Sequence, residues 1–434
     1  MKVAFSTLGC RVNVYESEAM AEKFIREGYE VVDSNEIADV YVINTCTVTN
    51  MGDKKSRQII KRARRLNENS TIAVVGCYSQ MAPNEVAEIP GVDVVLGTRN
   101  KGDVVYYVNK AKDEGKAQVH VEGVLKNKKF EELNIEEYQD KTRAFLKIQD
   151  GCNRFCTYCI IPYSRGSVCS KDPDKIIEEV KSLAKHGFKE IILSGIHTAS
   201  YGLDLEGNIN LINIIEEIEN VDGIERIRIG SIEPAFFTPE VIEKMKGFKK
   251  LCPHFHLSLQ SGCDSTLKRM NRRYTAKEYK EAVDLLRETM PDVSITTDVI
   301  VGFPGETEEE FSKTYKFLED IKLTKTHVFK FSPRKGTKAE SMPNQIDGNI
   351  KEKRSKELID LNNRNEEAFI RGLIGEKMTV LIESQAKGKE DIYEGYTENY
   401  IKVNVSCKCS DINGKIVEVE INDCLSDIAI AKLV

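Results

Sequence analysis

The sequence predicts an α/β protein in three parts: an N-terminal parallel-sheet α/β domain, a central partial (β/α)6 barrel, and a small β-barrel at the C-terminus. Three observations lead there. Over residues 1–125, short apolar runs alternate with helix-length amphipathic segments, the pattern of βα units around a parallel sheet. The alternation restarts near Thr142 and yields six further apolar runs. From Ile374 onward it gives way to strand-like runs separated by turns. A chain of 434 residues, 41% hydrophobic, is long enough for two or three well-buried cores. The expected domains span 1–125, 142–372 and 373–434.

In the first domain, strands are expected at 3–8, 39–44, 72–75 and 92–96. Cys10, Cys46 and Cys77 each follow one of the first three, in TLGC, INTC and VVGC. Parallel strands point the same way, so these thiols should converge on one edge, where open α/β sheets bind ligands. A buried cysteine at a strand end needs no function. Three at equivalent positions read as a site. Between them, Lys54, Lys55, Arg57, Lys61, Arg62, Arg64 and Arg65 crowd one predicted helix, whose buried side is Ile59, Ile60, Ala63 and Leu66. Contacts to phosphate and a merely solvated basic face both account for it. Residues 115–141 are polar without periodicity and read as an interdomain linker.

The central strands are expected at 144–148, 190–193, 226–230, 255–259, 295–301 and 327–331, with helices between them such as 173–186 and 276–290. Six units are too few for an eight-stranded barrel, so the barrel is partial, with its site at the C-terminal strand ends. After the first strand comes Asp150-Gly151-Cys152-Asn153-Arg154-Phe155-Cys156-Thr157-Tyr158-Cys159. A 4Fe-4S cluster takes four thiolates, so a loop offering three leaves one iron open to a substrate or cofactor. A structural zinc loop would want a fourth ligand, and Cys169 is poorly placed to be one.

Polar groups recur at the later strand ends: Ser194-Gly195-Ile196-His197, Ser231-Ile232-Glu233, His256 to Gln260 and Asp298 to Glu306. Alternation points His256, Ser258 and Gln260 to one face. Each is weak alone, since a strand histidine is usually a satisfied core residue and Gly302 or Gly305 could simply shape a turn. Their joint placement at successive strand ends is harder to dismiss. A polar helix over 351–371 leads out of the domain, and strands follow at 378–382, 400–405 and 416–421. Cys407 and Cys409 share a face and could bind metal with Cys424, although burial is favoured. Cys169, Cys252 and Cys263 show no ligand spacing.

Net charge is -6, so nucleic-acid binding would have to rely on local patches. Twelve cysteines without a secretory signal point to a reducing compartment, and no apolar run approaches a membrane span. A cytoplasmic protein with no membrane partner is expected.

The cysteine loop, with aromatic Tyr158 before its last cysteine, resembles the radical S-adenosylmethionine (SAM) superfamily. Together with the N-terminal cysteines and Arg269-Met270-Asn271-Arg272-Arg273-Tyr274, the whole chain resembles the methylthiotransferase family within it, and residues 373–434 resemble its TRAM domain, an OB-like module. That resemblance implies two 4Fe-4S clusters, one on Cys152, Cys156 and Cys159 and an auxiliary one on Cys10, Cys46 and Cys77. It implies SAM contacts from Ser194, Gly195, Glu233, His256, Gln260, Arg272 and Asp298. It also implies tRNA contacts at the anticodon stem-loop, for which Lys54, Lys55, Arg57, Lys61, Arg62 and Arg65 are the candidates, with a reducing electron donor and a sulfur donor as further partners. One departure stands out: residues 371–434 carry eight Lys or Arg against eleven Asp or Glu, a poor balance for gripping phosphate.

TLGCRVN and INTCTVTN resemble the branch acting on N6-threonylcarbamoyladenosine in tRNA, where C2-H of the base 3′ of the anticodon becomes C2-S-CH3. One SAM would methylate sulfur and another would supply a 5′-deoxyadenosyl radical. The alternatives are the same reaction on N6-isopentenyladenosine, and a non-catalytic iron-sulfur RNA-binding protein. The threonylcarbamoyl group carries a carboxylate, so its pocket should hold a cationic or strongly donating side chain.

Overall fold

The computed structural model describes residues 1–125, 129–135, 142–389, 391–408 and 412–434. Its N-terminal sheet is all parallel and contains β1 (Lys2–Thr7), β2 (Glu30–Val32), β3 (Val40–Thr45), β4 (Thr71–Gly76), β5 (Val94–Leu96) and β6 (Gln118–His120), in the order β2-β1-β3-β4-β5-β6. Every residue of β3 and β4 is buried, as a central parallel strand covered on both faces requires. One face packs Val3, Met20, Phe24 and Val42, and the other packs Ile43, Ile60, Ile72 and Val74. The strand order reverses between β1 and β3, which is where a doubly wound sheet opens a crevice for ligands.

β7 (Arg143–Lys147) opens the central domain, and a short antiparallel pair, β8 (Gln149–Asp150) with β9 (Cys169–Ser170), closes the base of the cysteine loop. The arc continues through β10 (Glu190–Ser194), β11 (Arg226–Ile229), β12 (Ser231–Ile232), β13 (His254–Leu257), β14 (Ser294–Val301) and β15 (Lys325–Lys330). Its ladders are parallel in two runs, β11-β10-β7 and β12-β13-β14-β15. β11 is the strand expected at 226–230 and β12 extends it beyond Gly230 into the next ladder, so the expected partial barrel is present.

The helix Gly348–Gly372 joins this domain to the next, burying Leu358 and Leu361 in the central core and Ile370 in that of the last domain. There β16 (Lys377–Gln385), β17 (Ile392–Thr397), β18 (Lys402–Ser406), β19 (Ile416–Leu425) and β20 (Ile428–Leu433) close in the order β16-β17-β18-β20-β19. This is a five-stranded barrel of OB-like connectivity. Arg228 Nη1 donates to Glu398 O at 2.9 Å and Arg226 Nη2 to Thr379 O at 2.9 Å, so two arginines of the central sheet hold the barrel by its backbone.

Several elements differ from expectation. β2 and β6 are three-residue edge strands, too short to show a period, and the expected strands also omitted β17 and β20. The segment expected as a linker supplies β6 and sends Leu133 and Ile135 into the central core. Tyr15 and Ala19, from the N-terminal helix Arg11–Arg26, join the same core. β13 ends at Leu257, earlier than expected. No helix among the described residues is long and apolar enough to cross a membrane.

Candidate active site

Cys10, Cys46 and Cys77 leave the C-terminal ends of β1, β3 and β4, neighbours in the sheet that flank its reversal point. Gly9 has φ +100°, and a Cβ there would lie 2.8 Å from the Cβ of Cys46, so TLGC needs its glycine for the thiols to approach. Burial pushes the Cys46 thiol up to about 11, and Cys77 and Cys10 push the same way. Cys10, exposed at the cavity wall, feels the buried Arg165 guanidinium, whose charge favours its anionic form. Cys10 caps the helix Arg11–Arg26 at its N-terminus, an end that favours an anionic sulfur.

The second thiol set sits beyond β8. Gly151, at φ +69°, lies so close to Ser167 that a Cβ would meet its carbonyl oxygen at 1.9 Å, and the loop therefore begins on a residue only glycine can fill. Buried Gln149 organises the mouth: its amide donates to the carbonyls of Asp150 (2.6 Å) and Gly151 (2.7 Å), and its oxygen accepts from His197 N at 2.7 Å. Arg272 Nη1 donates to Cys156 Sγ at 3.2 Å, and Tyr158 packs edge-on to Phe303. Burial, with Cys156 and Cys152 adding, pushes Cys159 up to about 12. Glu233 meets Arg154 at 2.8 Å, Arg272 at 3.1 Å and His197 at 3.1 Å. Burial alone would raise its carboxyl, but the His197 hydrogen bond and these positive charges hold it at about 2.

Thiols set apart in threes, each set beside a buried arginine that offsets anionic sulfur, fit an iron-sulfur cluster.

A cavity of about 670 Å³ joins the three domains. Gly9, Cys10 and Arg11 form one wall; Ser194, Gly195, His256 and Asp298, from the strand ends, form a second; Tyr396, Tyr400 and Lys402 of the C-terminal barrel form a third. His256 Nε2 is 3.3 Å from Asp298 Oδ2. Of the residues expected to meet SAM, these four strand-end residues share the cavity, while Glu233 and Arg272 gather at the cysteine loop. Gln260 is buried at φ +69° beyond the end of β13, so strand alternation no longer governs its direction.

Sequence reasoning did not find the buried ion cluster that fixes the two thiol sets relative to each other. Glu16, fully buried, accepts from Lys101, from Lys147 at 2.8 Å and from Arg165 at 2.9 Å, and Arg165 also reaches Asp150 at 3.1 Å. Burial would raise Glu16, yet Arg165, Lys101 and Lys147 hold it well below its ordinary value. Arg334 was missed too: it bonds Thr47 (2.6 Å), Asn50 (2.5 Å) and Asp53 (2.6 Å), pinning the loop after Cys46 to the central domain. These contacts join residues 16 to 165 and 47 to 334, separations at which no motif operates.

The basic helix is Asn50–Leu66, capped by Thr49. Lys54, Lys55, Lys61, Arg62 and Arg65 are exposed, whereas Arg57 bonds Tyr78 at 3.0 Å and Arg64 pairs with Asp93 at 2.9 Å. Five cations are thus presented to solvent and two fasten the helix. Cys407 and Cys424 are buried, and Cys409 lies outside the described residues. Cys252 and Cys263 are buried as well, and Cys169 accepts from Arg99 Nη1 at 2.7 Å.

A three-cysteine loop at the mouth of a partial parallel barrel defines the radical SAM class, and residues 146–318 match the Radical SAM superfamily. Residues 2–97 match the Uncharacterized protein family UPF0004, and 371–434 the TRAM domain. The chain belongs to the radical SAM tRNA methylthiotransferase family. It is 45% identical to the threonylcarbamoyladenosine tRNA methylthiotransferase MtaB of Bacillus subtilis, over 96% of this chain and 93% of that one. It is 40% identical to the protein of that name from Aquifex aeolicus, over 93% and 96%. Identity to the tRNA-2-methylthio-N(6)-dimethylallyladenosine synthase of Clostridium tetani is 36%, over 97% and 93%. The fold is also similar to the radical S-adenosylmethionine methyltransferase TsrM of Kitasatospora setae (TM-score 0.60, 15% identity, 78% of this chain and 77% of that one).

Proposed function

We propose that this enzyme methylthiolates C2 of N6-threonylcarbamoyladenosine in the anticodon loop of tRNA. The observation that carries the reading is the shared cavity, which puts Cys10 opposite the strand ends Ser194, Gly195 and Asp298 and beside the aromatic pair of the C-terminal barrel. Cys152, Cys156 and Cys159 would hold the cluster that meets SAM, and Cys10, Cys46 and Cys77 would hold the auxiliary cluster. When bound, these groups supply reductive cleavage of SAM to a 5′-deoxyadenosyl radical and the sulfur that is methylated and inserted.

The chain's own residues bind and orient. Gly195 and Ser194 offer backbone and hydroxyl groups to SAM, and Asp298, held by His256, and Glu233, held by Arg154 and Arg272, offer carboxylates for hydroxyl donors. Tyr396 and Tyr400 stack with ring centres 4.9 Å apart and give an unpaired loop base an aromatic face. On this reading the acidic last domain contributes aromatic rings to the cavity and the exposed face of Asn50–Leu66 contributes the contacts to phosphate. A small electron carrier, a sulfur donor and a cytoplasmic setting complete the reading.

Two features favour threonylcarbamoyladenosine over isopentenyladenosine: the greater identity to relatives named for it, and the cationic and donor groups of a cavity that an isoprenoid chain would leave unpaired. The reconstituted enzyme should methylthiolate tRNA carrying threonylcarbamoyladenosine and ignore tRNA carrying isopentenyladenosine, as read by nucleoside mass spectrometry. The opposite preference would overturn the substrate while leaving the chemistry intact.

A further inference from the structure

The cations on the cavity wall are answered by carboxylates, with one exception. Lys325 pairs with Glu366 at 2.7 Å and Lys402 with Glu394 at 3.0 Å. Behind the wall, Arg143 meets Glu383 at 2.5 Å and Arg228 meets Glu190 at 2.9 Å. Arg11 lines the same cavity, and among the described residues no carboxylate lies within ion-pair distance of it. Its hydrogen bond goes to a neutral phenol, Tyr400 Oη, at 3.3 Å. The guanidinium is cradled between Phe145 and Tyr400, 5.8 and 5.6 Å from their ring centres. Aromatic faces hold such a cation in place without cancelling its charge. Arg143 and Arg228 also lie over the Tyr400 ring, at 5.4 and 4.5 Å, but Glu383 and Glu190 match their charges, so the unmatched charge of this corner is that of Arg11.

Resting on the substrate reading above, we propose that Arg11 receives the carboxylate of the threonylcarbamoyl group and thereby sets substrate choice. Position supports this independently of charge. C2 and the N6-bearing carbon flank N1 of the same purine ring, so a base whose C2 is turned toward the strand ends that carry Cys10, Cys46 and Cys77 projects its N6 substituent within an arginine's reach of the same edge. Arg11 directly follows Cys10 in the chain. The guanidinium fork matches a carboxylate with two parallel hydrogen bonds. An isopentenyl group would leave the fork desolvated against hydrocarbon, a cost of the kind that gives strong rejection.

The test is equilibrium binding of the full-length protein to two anticodon stem-loop RNAs that differ only in bearing the threonyl carboxylate or its primary amide. Every phosphate contact is common to both. Wild type should bind the acid about 10- to 100-fold more tightly, and Arg11→Gln should reduce that ratio to about 3 or less. Arg11→Lys, which keeps a charge without the fork, should retain an intermediate preference, and it serves if the Gln variant fails to fold, as thermal unfolding would show. Full acid preference in either variant overturns the role of Arg11. Wild-type protein that binds acid and amide alike overturns it as well, whereas failure of the substrate reading on which it rests shows separately, as methylthiolation of isopentenyladenosine in the assay above.

Discussion

At the scale of single residues, the six candidate cluster thiols differ from the other cysteines in their grouping, three directly after β1, β3 and β4 and three within the loop after β8. Cys10 feels Arg165, and Cys156 accepts from Arg272, so each set has a fixed buried cation ready to offset negative sulfur. Burial raises Cys46 and Cys159 into the range of about 11 to 12, so these thiols enter a cluster by releasing protons. Anaerobic reconstitution should load about eight irons per chain, and replacing Cys152, Cys156 and Cys159 by Ala should remove about half. The companion triple variant at Cys10, Cys46 and Cys77 should still make 5′-deoxyadenosine under reduction but form no methylthio product. A single cluster, or zinc in place of iron, would sink the two-site assignment.

At the scale of elements, the helix Asn50–Leu66 divides its cations between two tasks. Arg57 and Arg64 are spent on the protein, so the RNA contact should rest on the exposed remainder. Reversing Arg62 and Arg65 to Glu should weaken tRNA binding and lower the slope of log affinity against log salt by about 1.5. Unchanged affinity and slope would reduce the helix to a solvated surface. The helix Glu308–Ile321 offers a pH test. Its capping-box residue Glu310 is held at about 2, chiefly by hydrogen bonds from Arg269, which it meets at 2.6 Å. A depressed carboxyl contributes stability above its ordinary pKa of about 4.5 and loses that contribution as pH falls toward 2. Glu310→Gln keeps the capping geometry and removes the charge. The difference in Tm between wild type and this variant should therefore be full at neutral pH, shrink steadily below about pH 4.5 and vanish only below about pH 2. A difference independent of pH would assign the effect to the cap.

At the scale of the whole molecule, the cavity exists because three domains are locked in one arrangement. Glu16 and its three cations fasten the first domain to the second, and Arg226 and Arg228 fasten the third. Arg228→Met removes the nearest partner of buried Glu190 and a clamp on the barrel backbone. We expect a loss of about 3 kcal/mol, at the low end for a broken buried pair because Arg226 and Arg143 stay within 4.0 Å of Glu190. Limited proteolysis should then cut near residues 372–376 faster than in wild type. Equal stability and equal cleavage would show that the barrel is held by its apolar contacts alone.

By itself the sequence determined the longer strands of the two parallel sheets and the class of chemistry. Hydrophobic periodicity placed the parallel strands at β1, β3, β4 and β5 and the six-unit arc of the central domain, because a strand buried on both faces must be apolar throughout. Cysteines at equivalent strand ends announced a shared site, because parallel strands carry their C-termini to one edge. Tertiary structure alone decided how these parts meet. Arg11 is an ordinary helix residue until Tyr400, 389 positions away, closes the cavity over it. Glu16 looks like a surface carboxylate until Lys101, Lys147 and Arg165 surround it, and Gln260 loses the direction that alternation assigns it once β13 ends at Leu257. Period and spacing are local properties of a chain, whereas the pairing of a buried charge depends on contacts that form only when distant segments fold together.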